Sequence, residues 1–298
     1  MSSISPVVLF AYNRLWHTRQ TIEALQKNEL AAESNLFIYS DAPLNQKFAK
    51  SVNDVRKYIK SVSGFKSVTI IERDKNWGLA ANIINGVTEI VNTYGTVIVL
   101  EDDMITSPYF LLYMNDALNY YKNEEKVISI HGYFYPVNAD LPQTFFLKGA
   151  DCWGWGTWKR GWDLFNPDSK ALLNEIRNRK AEKDFDINGT YPYTKMLSDN
   201  TQKKNDSWAI RWYASAFLKN RLTLYPGKSL VKNIGTDSSG THCDSTEKFD
   251  IINLCCERIY MTEIPIEENP YAKKVGEDYF RNIQPPFFQK ILKRIGLL

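Results

Sequence analysis

The chain has 298 residues, 44% hydrophobic and 13% aromatic, which is ample for a packed core and argues against disorder. A formal net charge of +3 is too near balance for a nucleic-acid binder, and no basic stripe interleaved with aromatics precedes the tail. The length suits one large domain or two small ones rather than a repeat array.

The opening MSSISPVVLFAYNR has no basic n-region and no long apolar segment, so it reads as neither signal peptide nor membrane anchor, and a cytoplasmic protein is expected. The four cysteines, Cys152, Cys243, Cys255 and Cys256, form no Cys-x-x-Cys pair and are expected to be reduced thiols rather than zinc ligands.

In chain order, Pro6 to Tyr12 predicts a buried strand and Thr18 to Gln26 a helix. Leu36 to Ser40, Val68 to Glu72 and Val97 to Leu100 predict three further strands. Between them lie helices over Lys47 to Val62 and Leu79 to Asn92, the latter entered through Asn76-Trp77-Gly78. Strand and helix alternating in this way define a mostly parallel sheet with helices on both faces. Ligands of such sheets bind beyond the carboxyl ends of the strands. Three strands end there in polar residues: Asn13-Arg14, Asp41, and Glu101-Asp102-Asp103.

The run VIVLEDDMITSP is the most informative. Three adjacent carboxylates repel one another, and a divalent cation held by hard oxygen ligands relieves that repulsion. Taken alone, the cluster also reads as a solvated acidic turn. Its place beside Arg14 and Asp41 favours a nucleotide and metal site.

Residues 108 to 125 predict a helix and Val127 to Tyr135 a strand. The stretch FFLKGADCWGWGTWKRGWDLF then reads as a tryptophan-rich loop carrying Trp153, Trp155, Trp158 and Trp162, half of the eight tryptophans. Lys180 to Gly189 reads as a loop. KKNDSWAIRWYASAFLKN reads as an amphipathic helix capped by Asn205 or Asp206. Leu222 to Tyr225 predicts a strand, followed by the loop GTDSSGTHC. The tail PPFFQKILKRIGLL reads as a basic amphipathic helix, suited either to an anionic membrane surface or to docking on its own domain.

Four segments in one order, VVLFAYNR, VIVLEDDMITSPYFLLYM, GADCWGWGTW and NDSWAIRW, resemble the nucleotide-sugar glycosyltransferases of the GT-A fold. The likeness extends over roughly residues 6 to 245. It is nearest to bacterial family 2 enzymes and to the Golgi beta-1,2-N-acetylglucosaminyltransferase that starts complex N-glycans. That Golgi enzyme has a membrane anchor, which this chain does not show, so the resemblance points instead to bacterial polysaccharide or glycoconjugate synthesis. It implies an α/β GT-A fold: a Rossmann-like, mostly parallel nucleotide-binding sheet continuous with an acceptor-binding half. The expected divisions are residues 1–106 for the nucleotide-sugar half, 107–265 for the acceptor half and 266–298 for the tail.

The same resemblance implies a Mn2+ (or Mg2+) ion on Asp103 with His242 as a further ligand. Glu101 and Asp102 are then expected beside ribose and donor sugar, Arg14 on the nucleotide, Asp41 at the uracil ring and Asp206 as catalytic base, with Asp151 the second candidate base. Asn76 is a further candidate nucleotide contact, and Trp153, Gly154 and Trp155 would give the sugar an apolar platform. The expected partners are a UDP-sugar, with N-acetylglucosamine the leading sugar, and a carbohydrate or lipid-linked glycan acceptor, with inversion at the anomeric carbon. Plainer roles remain open: Asp206 as an N-cap, Arg14 as a surface residue at a helix start, Asp41 as a turn former, His242 as incidental, and Trp153 and Trp155 as core. Two other functions use similar residues: a nucleotidyltransferase, disfavoured because AYNRLWHTRQ is no Gly-rich phosphate loop, and a non-catalytic carbohydrate binder, which would have no use for Asp103.

Overall fold

The computed structural model describes residues 4–237 and 248–283. His242 and the tail helix expected over 285–298 lie outside the described residues. The first half follows the predicted alternation: β1 (Val7–Ala11), α1 (Leu15–Gln26), β2 (Asn35–Ser40), α2 (Gln46–Ile59), β3 (Ser67–Glu72), α3 (Leu79–Tyr94) and β4 (Thr96–Glu101). The second half comprises β5 (Met104–Thr106), α4 (Phe110–Tyr120), β6 (Val127–His131), β7 (Thr144–Lys148), β8 (Trp155–Trp158), α5 (Lys159–Trp162), α6 (Ser169–Asn178), α7 (Glu182–Phe185), α8 (Tyr193–Thr201), α9 (Trp208–Leu218), β9 (Leu222–Pro226), β10 (Val231–Asn233) and α10 (Pro270–Ile283).

Eight strands form one sheet in the order β3-β2-β1-β4-β8-β6-β9-β7, and β10 pairs with β5 in a separate ribbon. The pairs among β3, β2, β1 and β4 are parallel, as is β6 with β9, whereas β8 and β7 run antiparallel to their neighbours. This is the expected α/β class, with a mostly parallel sheet. β1 shows why: all five of its residues are buried, because a central parallel strand is covered on both faces. Alternate residues feed opposite layers. Val7, Leu9, Ile98 and Leu100 pack with Ile22 and Leu25 of α1 and Val55 of α2. Val8, Phe10, Val97 and Val99 pack with Ile83 and Val87 of α3 and Trp212 of α9.

Three expectations are corrected here. Part of the tryptophan-rich stretch is not loop: β8 inserts between β4 and β6, and Gly156 permits it, since a Cβ there would lie 3.2 Å from the Val97 carbonyl oxygen. The 180–189 stretch contains the short α7. Finally, α9 is capped neither by Asn205 nor by Asp206: Ser207 is the cap, accepting the Ile210 N–H at 3.3 Å, while Asn205 Oδ1 accepts the Ser207 N–H.

Candidate functional site

Because β1 and β4 are parallel neighbours, Arg14 and the acids after β4 emerge at the same sheet edge. Arg14 Nη2 donates to both Asp102 Oδ1 and Asp103 Oδ2, the latter at 2.7 Å. Both carboxylates are buried. Burial, reinforced by Asp103 and Asp102, pushes the Glu101 carboxyl well above the ordinary carboxylate range. Burial raises Asp102 as well, with Arg14 pulling the other way. A single guanidinium therefore offsets part of a three-acid cluster.

Asp103 has one oxygen to spare. Among the described residues its buried Oδ1 accepts no hydrogen bond, an arrangement that leaves a desolvated acceptor unsatisfied. No group of three His, Cys, Asp or Glu side chains among the described residues forms a cage for a metal. Asp103 and Asp102 nevertheless fit a hard divalent cation of the kind held by one or two carboxylates, with phosphate and water completing the shell.

Gly235 is a site residue that the sequence did not reveal. Ile234 N–H bonds the Asp103 carbonyl at 2.9 Å, and a Cβ on Gly235 would come within 2.0 Å of Asp103 Oδ2. Only a glycine lets this segment lie against the acids, and an isolated glycine in a Gly/Ser-rich loop is the faint signal that marked it.

Asp41 sits at the same edge with its carboxylate engaged by the backbone. Its oxygens accept the N–H groups of Ala42, Trp77 and Gly78, which anchors the start of α3. Asn76 Nδ2 completes the tie to the Ala42 carbonyl at 2.7 Å. These two expected nucleotide contacts thus hold together the turn entering α3.

The loop between β7 and β8 is bracketed by Gly149 (φ +100°) and Gly154 (φ +64°). The left-handed backbone at each end turns the chain back on itself. His131, at the end of β6, pins the loop by accepting the Trp153 N–H at Nε2, 3.0 Å away, a role with no signal in its apolar surroundings in the chain. Asp151 is 4.0 Å from that nitrogen and 27% exposed. The Cys152 thiol is pushed up by burial, reinforced by Asp151, Glu101 and Asp103.

The expected tryptophan platform is corrected. Trp155 is 1% exposed and packs among Trp208, Trp212 and Trp162 with ring centroids 5.5–5.8 Å apart, so it is core rather than a ligand surface. Gly154 is packed against Val231 and Phe110. Trp153 is half-buried, edge-on to Tyr133 at 4.8 Å. Asp206 is 73% exposed at the entrance to α9 and ion-paired with Arg211 at 3.2 Å.

No family model matches the chain, and no curated protein matches it either. Solved structures of similar shape exist. The first 349 residues of Staphylococcus aureus TarS align at 13% identity over 76% of this chain and 59% of that one, with a TM-score of 0.40. A longer TarS structure aligns at 15% identity over 76% and 36%, with a TM-score of 0.38. A Pyrobaculum calidifontis mannosyltransferase, solved with GDP-Man and Mn2+, aligns at 13% identity over 45% and 36%, with a TM-score of 0.33. The chain thus spans about a third of the mannosyltransferase and of the longer TarS structure, and at this level of likeness their ligands are statements about those proteins alone.

Proposed function

We propose that the chain is an inverting glycosyltransferase. Its donor is a nucleoside-diphosphate sugar, UDP-linked by the family resemblance, with N-acetylglucosamine the leading sugar. Its acceptor is a hydroxyl of a carbohydrate or lipid-linked glycan in bacterial surface-polysaccharide or glycoconjugate synthesis. The observation that carries this reading is the buried meeting of Arg14, Asp102 and Asp103 at the carboxyl ends of parallel strands, with the Asp103 Oδ1 lacking a partner among the described residues.

Asp103, with Asp102, would hold a divalent manganese or magnesium ion, which when bound supplies Lewis-acid neutralisation of the diphosphate. Arg14 adds a permanent positive charge where the leaving group gathers negative charge. The acceptor oxygen bonds to the anomeric carbon as its proton passes to a carboxylate. The bond to the diphosphate breaks with its electron pair on the diphosphate, and one displacement gives inversion. Of the two candidate bases, Asp151 has the more sheltered position: it is partly buried and lines a cavity. Asp206 is on open surface with its charge met by Arg211. A positioned carboxylate of this kind contributes typically ~10²–10⁴-fold in rate.

The test is melting temperature against UDP, GDP, CMP and dTDP, each with and without manganese. A ligand that binds only the folded state raises it by mass action. UDP with manganese is expected to stabilise the protein, and Asp103→Asn to abolish that shift. Absence of any nucleotide shift under any metal would remove the donor site and the transferase reading with it.

A further inference from the structure

Behind the 149–154 loop lies a cavity unrelated to the acid cluster in its chemistry. Its volume is about 60 Å³, well above the ~10–15 Å³ that a single water needs, and it is partly open to solvent. Its walls come from distant elements: Tyr135 after β6, Asp151 in the loop, Tyr193 of α8, Tyr213 of α9, Tyr225 of β9 and Phe280 of α10.

The tyrosine hydroxyls are unequally used. Tyr213 donates to the Phe185 carbonyl at 3.1 Å. Those of Tyr135, Tyr193 and Tyr225 make no hydrogen bond among the described residues, although all three side chains line the cavity. Burial and the nearby Asp151 push these three phenols well above their ordinary pKa, so they remain protonated and able to donate at neutral pH. Asp151 supplies the complementary acceptor.

Charge selects among ligands. The two lysines on the wall are already matched: Lys273 pairs with Glu268 at 2.8 Å and with Asp184 at 3.3 Å, and Lys148 reaches Asp184 at 3.5 Å. An anionic ligand would therefore find no free cation on this wall. Asp151 Oδ1 accepts the Cys152 N–H at 2.8 Å, and the nearest cationic candidate is His131 at 4.0 Å, a ring that burial shifts toward its neutral form. Three unused hydroxyls, one carboxylate and aromatic faces suit a neutral polyol with apolar ring faces.

We infer that this tyrosine-lined cavity is the subsite for one neutral sugar ring of the acceptor, with Asp151 accepting a hydrogen bond from a ring hydroxyl. The assignment to the acceptor rests on the glycosyltransferase reading. The location and ligand class rest on the cavity itself.

The experiment is saturation-transfer NMR on the full chain with the methyl glycosides of glucose, galactose, mannose and N-acetylglucosamine, and with cationic glucosamine as contrast. At least one neutral glycoside is expected to bind. Tyr193→Phe and Tyr135→Phe, which keep the ring and remove the hydroxyl, are each expected to weaken it about three- to tenfold. Failure of every neutral glycoside at tens of millimolar, preference for glucosamine, or binding untouched by both variants would overturn the subsite. The UDP–manganese shift measured on the same samples separates the two readings. Glycoside binding without that shift would defeat the transferase assignment and with it the role as acceptor, while the shift without glycoside binding would defeat the subsite alone.

Discussion

Two aromatic clusters flank the same loop, and they are built to opposite ends. Trp155, Trp162, Trp208 and Trp212 pack in stacked and tilted pairs in a buried layer beside α3. The Trp162 indole N–H donates to Thr88 at 2.8 Å, whereas those of Trp155 and Trp212 are buried without a partner among the described residues. Tyr135, Tyr193, Tyr213 and Tyr225 instead surround open space and leave three hydroxyls unspent. Density of aromatic residues in a sequence thus marks where area is buried. Whether a ligand is met depends on where the polar handles point.

The largest effect that tests this contrast is on stability. Trp212, fully buried, is expected to cost about 3–5 kcal/mol when changed to Ala, because a large cavity opens in a dry layer. Tyr193→Phe is expected to stay within about 0.5 kcal/mol. Urea denaturation measures both, and similar costs for the two would erase the distinction between core and cavity. Gly149→Ala is an intermediate case. Its added Cβ would lie 2.4 Å from the Tyr213 ring at a backbone φ of +100°, and about 1–3 kcal/mol should be lost. Near-ultraviolet dichroism should report the displaced tyrosine, and an unchanged spectrum with an unchanged melt would argue against this close approach.

The smallest effect concerns His131. Burial lowers its pKa below the ordinary 6.5, with Asp151 opposing, so the unfolded chain takes up the proton first. The stability this neutral ring contributes is whole above the unfolded value and shrinks as pH falls below it. The gap in melting temperature between the wild type and His131→Gln should therefore narrow between about pH 8 and about pH 5. A gap that widens toward acid would mean that Asp151 holds the ring protonated.

The parallel strands were legible because each is a short apolar run ending in a turn residue, and the acid cluster stood out through its place at a strand end beside Arg14 and Asp41. β8 was not. Its sequence, Trp-Gly-Thr-Trp, is four residues long and interrupted by a glycine, too short a run to stand out, and its place is set by the neighbours β4 and β6 on either side. The α9 cap was misplaced by one or two residues, within the reach of three adjacent capping types. The cavity had no sequence signature at all. Its tyrosines are scattered from position 135 to 225, share no period, and converge only through the sheet order. Asp151 could be singled out from its place before the tryptophans, but its partner His131 looked like one more residue of a buried strand.

That scattering bears on how the molecule assembles. Lys273 of α10 ties Asp184 to Glu268, and Phe280 closes a wall that begins at Tyr135, so the enclosure draws on nearly half the chain. Contacts between such distant positions carry the largest loop-closure entropy and form late. A partly folded chain with β1 to β4 already paired would own the acid cluster but no enclosure. The tyrosine cavity is therefore a marker of complete folding, and amide exchange in its walls should report openings that the parallel strands never undergo.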